Sequence, residues 1–254
     1  MTSLHERELS WEGCLNVRDL GGHATTDGGE TRYGAVVRAD SIRRLTDAGW
    51  ETAVRYGVRT VVDLRSNHEL QADPPAELPV EVLHVPFMEA SERDWTEIEP
   101  EVEAAAEAAP DVATATCDVY LVFLKHFKEN AAAGIRAVAR APEGGVVIHC
   151  AGGKDRTGLL TAFLLHLAGV PVEEIAADYA VSEERLRPRH DEWLAQAETE
   201  AERERLRRIA QTPAAAMAGV FAALERRYGS IEQFLRKAGA SEEDLALARG
   251  RLRA

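Results

Sequence analysis

The sequence predicts an α/β fold, with a central, mostly parallel sheet flanked by helices and then a helical C-terminal half. Three observations lead there. Short β-branched runs alternate with helical patterns as far as residue 168. The runs at 58–65 and 146–148 are nearly continuous in apolar character, as strands covered on both faces must be. Beyond Gly169-Val170-Pro171 the pattern is almost entirely helical.

Taken in order, residues 13–23 (Gly-Cys-Leu-Asn-Val-Arg-Asp-Leu-Gly-Gly-His) are polar and glycine-rich. Local chemistry favours a turn in which Asn16, Arg18 and Asp19 bond the backbone. The alternative is a segment that lies beside the functional loop and orients it. Asp27-Gly28-Gly29 marks a turn before a strand at Gly34–Arg38. Ser41 or Thr46 caps a short helix, the second leading into 47–56. The next strand, 58–65, ends in Asp63, Arg65, Ser66 and Glu69, which should emerge at the carboxyl edge of the sheet, where α/β proteins bind ligands. Arg65 and Glu69 there read either as a solvated ion pair or as support for the site. Pro74-Pro75 is a loop, and 80–87 a short strand. Residues 89–118 are acidic, alanine-rich and interrupted by Pro100 and Pro110, a helical excursion that is either a lid or plain surface. A helix over 119–139 packs on the sheet. Pro142-Glu143-Gly144-Gly145 turns the chain into the strand before Cys150.

In the C-terminal half, a helix over 172–185 ends at Pro188. Residues 190–211 carry Glu/Arg pairs three and four apart, and 183–212 is a second lid candidate. Pro213 opens a helix to Tyr228, Gly229 ends it, and two short helices close the chain. No repeat or low-complexity linker divides the sequence, so one domain over residues 1–254 is expected.

The chemistry concentrates at Val146-Val147-Ile148-His149-Cys150-Ala151-Gly152-Gly153-Lys154-Asp155-Arg156-Thr157-Gly158. A strand, a glycine-rich turn and an apolar helix together make a cradle of backbone N–H groups suited to an anion. Lys154, Arg156 and the helix N-terminus favour the thiolate form of Cys150, the natural nucleophile. Arg156 offers a planar fork for two oxygens of a phosphate. Ala151, Gly152 and Gly153 bring N–H groups close to a bound anion, while Thr157 can hydrogen-bond the sulfur. His149 bonds loop backbone and fixes the cysteine. Trp95 and Trp193 are expected to pack in the core.

These residues resemble a known pattern. His149-Cys150-x5-Arg156-Thr157 is similar to the signature loop of the cysteine-dependent protein tyrosine phosphatases. Gly153-Lys154-Asp155-Arg156-Thr157-Gly158 resembles the loop of a bacterial broad-specificity subfamily, whose members act on phosphoproteins and phosphoinositides. Asn16 to Gly22, Val62-Asp63-Leu64-Arg65-Ser66 with Glu69, Asp178 to Ser182, and Tyr228-Gly229-Ser230 also resemble motifs of that subfamily, in the same order. The resemblance implies a tyrosine-phosphatase-like fold and a cysteinyl-phosphate intermediate, with no metal or other cofactor. It implies that Asp155 is the general acid, with Asp118 the competitor, and that Lys154 adds charge toward multiply phosphorylated or lipid substrates. Asp63, Arg65 and His149 would support the loop. The expected partner is a phosphorylated protein or a phospholipid headgroup, and a monomer is expected. Two rivals are a rhodanese-like sulfurtransferase, which also uses a Cys-headed loop, and a catalytically silent phosphate-binding module. A nucleotide-binding loop is excluded, because Lys154 is followed by Asp-Arg where Ser or Thr is needed.

Bulk composition agrees with a folded chain whose ligand field is local. The 254 residues are 45% apolar and carry a formal charge of -13, which disfavours nucleic acid and anionic membrane as partners. Three cysteines without disulfide spacing favour a reducing compartment. The charged N-terminus lacks an apolar signal core, and no apolar run is long enough to span a bilayer. A cytoplasmic protein is expected, with export by a signal-less route left open.

Overall fold

The structure is a computed structural model that describes residues 7–73, 78–89 and 95–253. Five strands form one sheet in the order β1-β2-β5-β3-β4: β1 (Arg18–Asp19), β2 (Val36–Ala39), β3 (Val58–Asp63), β4 (Glu81–His84) and β5 (Gly145–His149). All neighbours are parallel except β1 and β2. The predicted α/β class with a mostly parallel sheet is what the chain forms.

The apolar runs explain the layering. Side chains alternate across a strand. Val146 and Ile148 of β5 therefore enter the larger core, under α4 (Val112–Arg140) and α5 (Asp155–Leu167), while Val147 faces the smaller one, against α1 (Asp47–Tyr56). Thr46 caps α1 as predicted, accepting a 3.1 Å bond from the Gly49 amide. Helix α5 is buried nearly all round, which its unbroken Leu159 to Leu167 composition requires. Register then sets the working edge. Ala39 and Asp63 both lie level with His149. The residues that follow all three strands thus meet at one carboxyl edge, where Cys150 heads its loop.

Several boundaries differ from the sequence reading. Helix α4 starts at Val112 and absorbs the end of the predicted excursion, and its two halves join at a non-helical Phe127. Pro100 does not interrupt α3 (Trp95–Ala108) but sits inside it. Strands β3 and β4 stop earlier than predicted, at Asp63 and His84. Pro74-Pro75 and part of the 89–118 segment fall outside the described residues. The largest difference is α6 (Val172–Gln196), which runs straight through Pro188. Proline inside a helix removes one backbone bond and crowds the preceding turn. Here tertiary pairing on both sides holds the helix together. Arg18 and Arg38, neighbours across β1 and β2, meet Asp178 of α6 at 2.8 and 2.7 Å, and Arg189 meets Asp40 at 2.7 Å. Helices α7 (Glu200–Ala210), α8 (Ala214–Tyr228), α9 (Ile231–Lys237) and α10 (Glu242–Leu252) complete the chain.

The Asp178 pair is fully desolvated. Burial alone would raise its carboxyl, but Arg18 and Arg38 outweigh that and hold it well below the usual carboxylate range. Burial and the neighbouring Arg38 in turn lower Arg18 to about 10. Removing the shared carboxylate leaves two buried guanidinium groups uncompensated. Asp178→Asn is expected to lower unfolding free energy by about 3–5 kcal/mol in urea titration.

Candidate active site

The loop from Cys150 to Lys154 joins β5 to α5, and its geometry follows from where its carbonyls go. The Ala151 carbonyl accepts from the Ser41 amide at 3.2 Å. The Gly153 carbonyl accepts from Asn16 Nδ2 at 3.0 Å and from an Arg38 guanidinium nitrogen at 2.7 Å. Asn16 Nδ2 also reaches the Gly152 carbonyl at 3.4 Å. With its carbonyls engaged from behind, the loop turns its amides the other way. The backbone N–H groups of 151–156 have no acceptor among the described residues. Helix α5 adds an N-terminus without a side-chain cap. Gly153 is required here: its φ is +63°, and a Cβ would stand 2.3 Å from the Ala39 carbonyl oxygen.

Cys150 lies at the base of this nest, only 2% exposed. His149 Nδ1 lies 3.2 Å from the Cys150 carbonyl oxygen, and its Nε2 lies 3.4 Å from Asp63 Oδ1. Asp63 in turn binds Arg65 at 2.8 Å, and Arg65 also reaches Asp73 at 3.1 Å. Burial would raise the Asp63 carboxyl, yet His149 and Arg65 together lower it instead. Arg156 is held by Glu69, with one nitrogen 2.9 Å from Oε1 and the other bonded to Oε2. Oε2 also accepts the Ser66 amide at 2.8 Å, in the capping box of α2 (Asn67–Ala72). Burial would lower the Arg156 guanidinium, but the neighbouring Cys150 and Glu69 push it up, so the cation is secure. Burial would likewise raise Glu69, and Arg156 reverses that to about 2.

Beside the nest opens a cleft of about 1290 Å³, walled by α3, α4, α7 and the loop residues Lys154, Asp155 and Arg156. Trp95, Tyr120, Phe123 and Phe127 give it an aromatic side. A family model described as tyrosine phosphatase family matches residues 9–254. The chain belongs to the tyrosine phosphatase family. It is similar to a tyrosine-protein phosphatase of Nostoc commune, 30% identical over 86% of this chain and 74% of the relative. It is also similar to the triple specificity protein phosphatase PtpB of Mycobacterium tuberculosis, 30% identical over 96% of this chain and 98% of that one. A putative tyrosine-protein phosphatase of Cupriavidus necator is 29% identical over 96% and 87% of the two chains. No helix among the described residues is long and apolar enough to cross a membrane.

The phosphatase departs from the sequence reading at several residues. Asn16 and Arg18 orient the loop and do not merely close a turn: Arg18 donates to Asn16 Oδ1 at 2.6 Å, and Asn16 holds the glycine carbonyls. Asp19 is the true turn residue, accepting the Gly21 and Gly34 amides at 2.6 and 2.7 Å. Arg65 and Glu69 do not pair with each other, since each has a nearer opposite charge. Lys154 Nζ bonds the Ile209 carbonyl at the end of α7, so its charge is engaged there. Thr157 Oγ1 is buried with no hydrogen-bond partner among the described residues, so the expected bond to the sulfur is not made. Trp95 and Trp193 are 38% and 39% exposed, and Trp95 lines the cleft, so neither is a core residue. Asp118 is half-buried on α4 but off its cleft-facing side, whereas Asp155 is on the wall.

Arg38, Asp40 and Arg189 carry no role in the sequence reading, although all three are buried and charged. One signal was available: Arg38 is a cation at the end of the apolar run Gly34-Ala35-Val36-Val37, which only a buried partner permits. The low Glu69 value carries a pH consequence. A depressed carboxyl contributes stability above its unfolded value, near 4.3, and loses it as pH falls toward about 2. Partial exposure limits this to about 1–2 kcal/mol. Urea unfolding at pH 6 and pH 3 is expected to show Glu69→Gln less stable than wild type at pH 6, with the gap closing at pH 3.

Proposed function

We propose that this phosphatase hydrolyses phosphate monoesters through a cysteinyl-phosphate intermediate, as a member of the broad-specificity bacterial subfamily. Phosphotyrosine in proteins is the leading substrate, and phosphoserine, phosphothreonine and phosphoinositide headgroups fall within the same chemistry. The observation that carries this reading is the ring of amides at 151–156 without acceptors, closed over Cys150 and flanked by an Arg156 fork that Glu69 fixes in place. Preorganised donors of that kind stabilise the equatorial oxygens as charge develops on phosphorus.

In the first step the Cys150 sulfur attacks phosphorus. The S–P bond forms, the P–O bond to the leaving group breaks, and Asp155 gives its proton to the departing oxygen. In the second step water attacks phosphorus, the Asp155 carboxylate takes the water proton, and the S–P bond breaks to return the thiolate. Arg156 binds two phosphoryl oxygens, and Ala151, Gly152, Gly153 and Lys154 supply amides. Thr157 is assigned to the sulfur as it leaves, since its buried hydroxyl is otherwise unpartnered. Asp63, Arg65 and His149 hold the loop from the β3 side. Asp155 is preferred over Asp118 because it alone of the two lies on the cleft wall.

The cleft supports the substrate choice. Its aromatic side suits a phenolic leaving group. Helices α3 and α7, inside the segments 89–118 and 183–212, act as covers over it, with the Lys154 bond to Ile209 as the contact that an incoming anion would compete for. The whole of residues 1–254 works as one domain in a reducing compartment, where the thiol stays active. The name of the mycobacterial relative, a triple specificity phosphatase, supports breadth of substrate.

A panel of phosphotyrosine, phosphoserine and phosphothreonine peptides, phosphoinositides and thiosulfate tests this reading. Wild type is expected to release phosphate, fastest from phosphotyrosine, and to leave thiosulfate untouched. Cys150→Ser is expected to reduce release to background, and turnover at the wild-type rate would sink the mechanism. Asp155→Asn is expected to lower kcat about 10²- to 10⁴-fold and flatten its pH profile. An unchanged rate moves the acid elsewhere.

A further inference from the structure

Two tyrosine hydroxyls to which the reaction steps give no role stand directly behind Asp155, one of them on a ring of the cleft wall. Tyr120 of α4 donates to Asp155 Oδ1 at 2.6 Å, and its own oxygen lies 2.9 Å from that of Tyr179 of α6. Both side chains are 1% exposed. Their rings meet edge to face, 6.1 Å apart at 79°, and Phe123 stacks on the other side of Tyr120 at 6.2 Å. Gly158, one turn beyond Asp155, leaves room for Tyr179, whose ring would be 3.2 Å from a Cβ there. Three helices therefore converge on one carboxyl group through two phenols.

The direction of the chain is fixed by chemistry. An ionised carboxylate only accepts, so Tyr120 donates to Asp155 and can accept only from Tyr179. Burial first, then the neighbouring carboxylate, raises both phenols, which keeps them as donors. Lys154 Nζ also approaches Oδ1, at 3.6 Å. Oδ1 is thus occupied on the protein side, and Oδ2 makes no bond among the described residues. When Asp155 is protonated, the proton belongs on Oδ2, the oxygen left to the cleft.

We propose that Tyr120, itself held by Tyr179, is the positioning residue that pins Asp155 through Oδ1 and presents a protonated Oδ2 to the leaving oxygen. The proposal rests on the reading of Asp155 as general acid. A merely structural tyrosine would contribute only its ring, and Phe123 and Tyr179 already surround that ring. The hydroxyl is what this arrangement adds.

Charged and titratable groups stand near Asp155 on each element packed against it. Tyr120 faces it from α4 and Tyr179 from α6, with Lys154 and Arg156 in the loop itself. Glu69 lies beyond Arg156, and Glu103, Glu107, Glu204, Arg205 and Arg208 line the same cleft from α3 and α7. Removing the Tyr120 hydroxyl takes away the one side-chain donor on Oδ1 among the described residues, and with it the bond that fixes the reach of the acid.

Leaving-group dependence reads this directly, because acid assistance matters most for a basic leaving group. The probes are p-nitrophenyl phosphate, whose leaving group departs readily, and phenyl phosphate, whose leaving group needs a proton. Tyr120→Phe keeps the ring and is expected to lower kcat/KM, which reports the step that expels the leaving group, about tenfold on phenyl phosphate, with less than about a twofold loss on p-nitrophenyl phosphate. Tyr179→Phe, one bond further back, is expected to give the same selectivity at about threefold, and it carries the test if the first variant does not fold. Asp155→Asn is measured alongside. Selectivity in Asp155→Asn with wild-type ratios in both tyrosine variants overturns the positioning role alone. Wild-type ratios in all three remove Asp155 as the acid, and the tyrosine proposal with it.

Discussion

The outward-turned carbonyl groups of Gly152 and Gly153 are the constraint on which the site depends. A tight loop can aim its amides at one point only if its carbonyls face away, and buried carbonyls need donors. Asn16 and Arg38 are those donors. Both are themselves held: Arg18 donates to Asn16, and Arg18 and Arg38 share Asp178, with Ser182 accepting from both at 3.1 and 3.3 Å. The loop shape is thereby written into β1, β2 and α6, elements that never touch the cleft. Buried ion pairs give little net stability against an apolar replacement. What this one supplies is direction, which a hydrocarbon cluster cannot.

The same logic governs charge. The chain carries -13 overall, so the net field is unfavourable to an anion and any positive field at the nest is local. Within the nest each cation is assigned. Arg156 is oriented by Glu69, which reduces its net charge but removes the entropy of a long side chain. Lys154 is drawn toward α7, while Arg156, the amides of 151–156 and the uncapped α5 N-terminus stay at the nest.

Asp155 illustrates how one residue can belong to two environments. It is the first residue of α5, where a carboxylate is favoured by the helix dipole. Its Oδ1 is turned into a buried phenol pair, and its side chain still lines the cleft. Asp118, with the same chemistry, has the wrong helical phase: residues 116, 119, 120 and 123 of α4 face the cleft and 118 does not. A turn of about 100° per residue is enough to take position 118 off that wall.

The fold class and the chemistry of the loop were legible in the sequence because both depend on local pattern. Apolar runs of four to six residues made strands, alternating order made them parallel, and a Cys, three glycines, a Lys and an Arg within nine residues defined an anion site. The matching motifs around Asn16, Asp63 and Asp178 marked which segments would matter. Their partners were not legible. Arg18 and Asp178 are 160 residues apart, Arg38 and Gly153 are 115 apart, and Tyr120 and Asp155 are 35 apart. Pairings of that kind leave no period in a sequence, since either residue alone looks like an ordinary surface charge or a core ring. The sequence by itself determined a cysteine loop at the edge of an α/β sheet. Only the tertiary structure decided which side chains hold its carbonyls, why α6 continues through Pro188, and which aspartate faces the cleft, because each is set by contacts between segments that only the folded chain brings together.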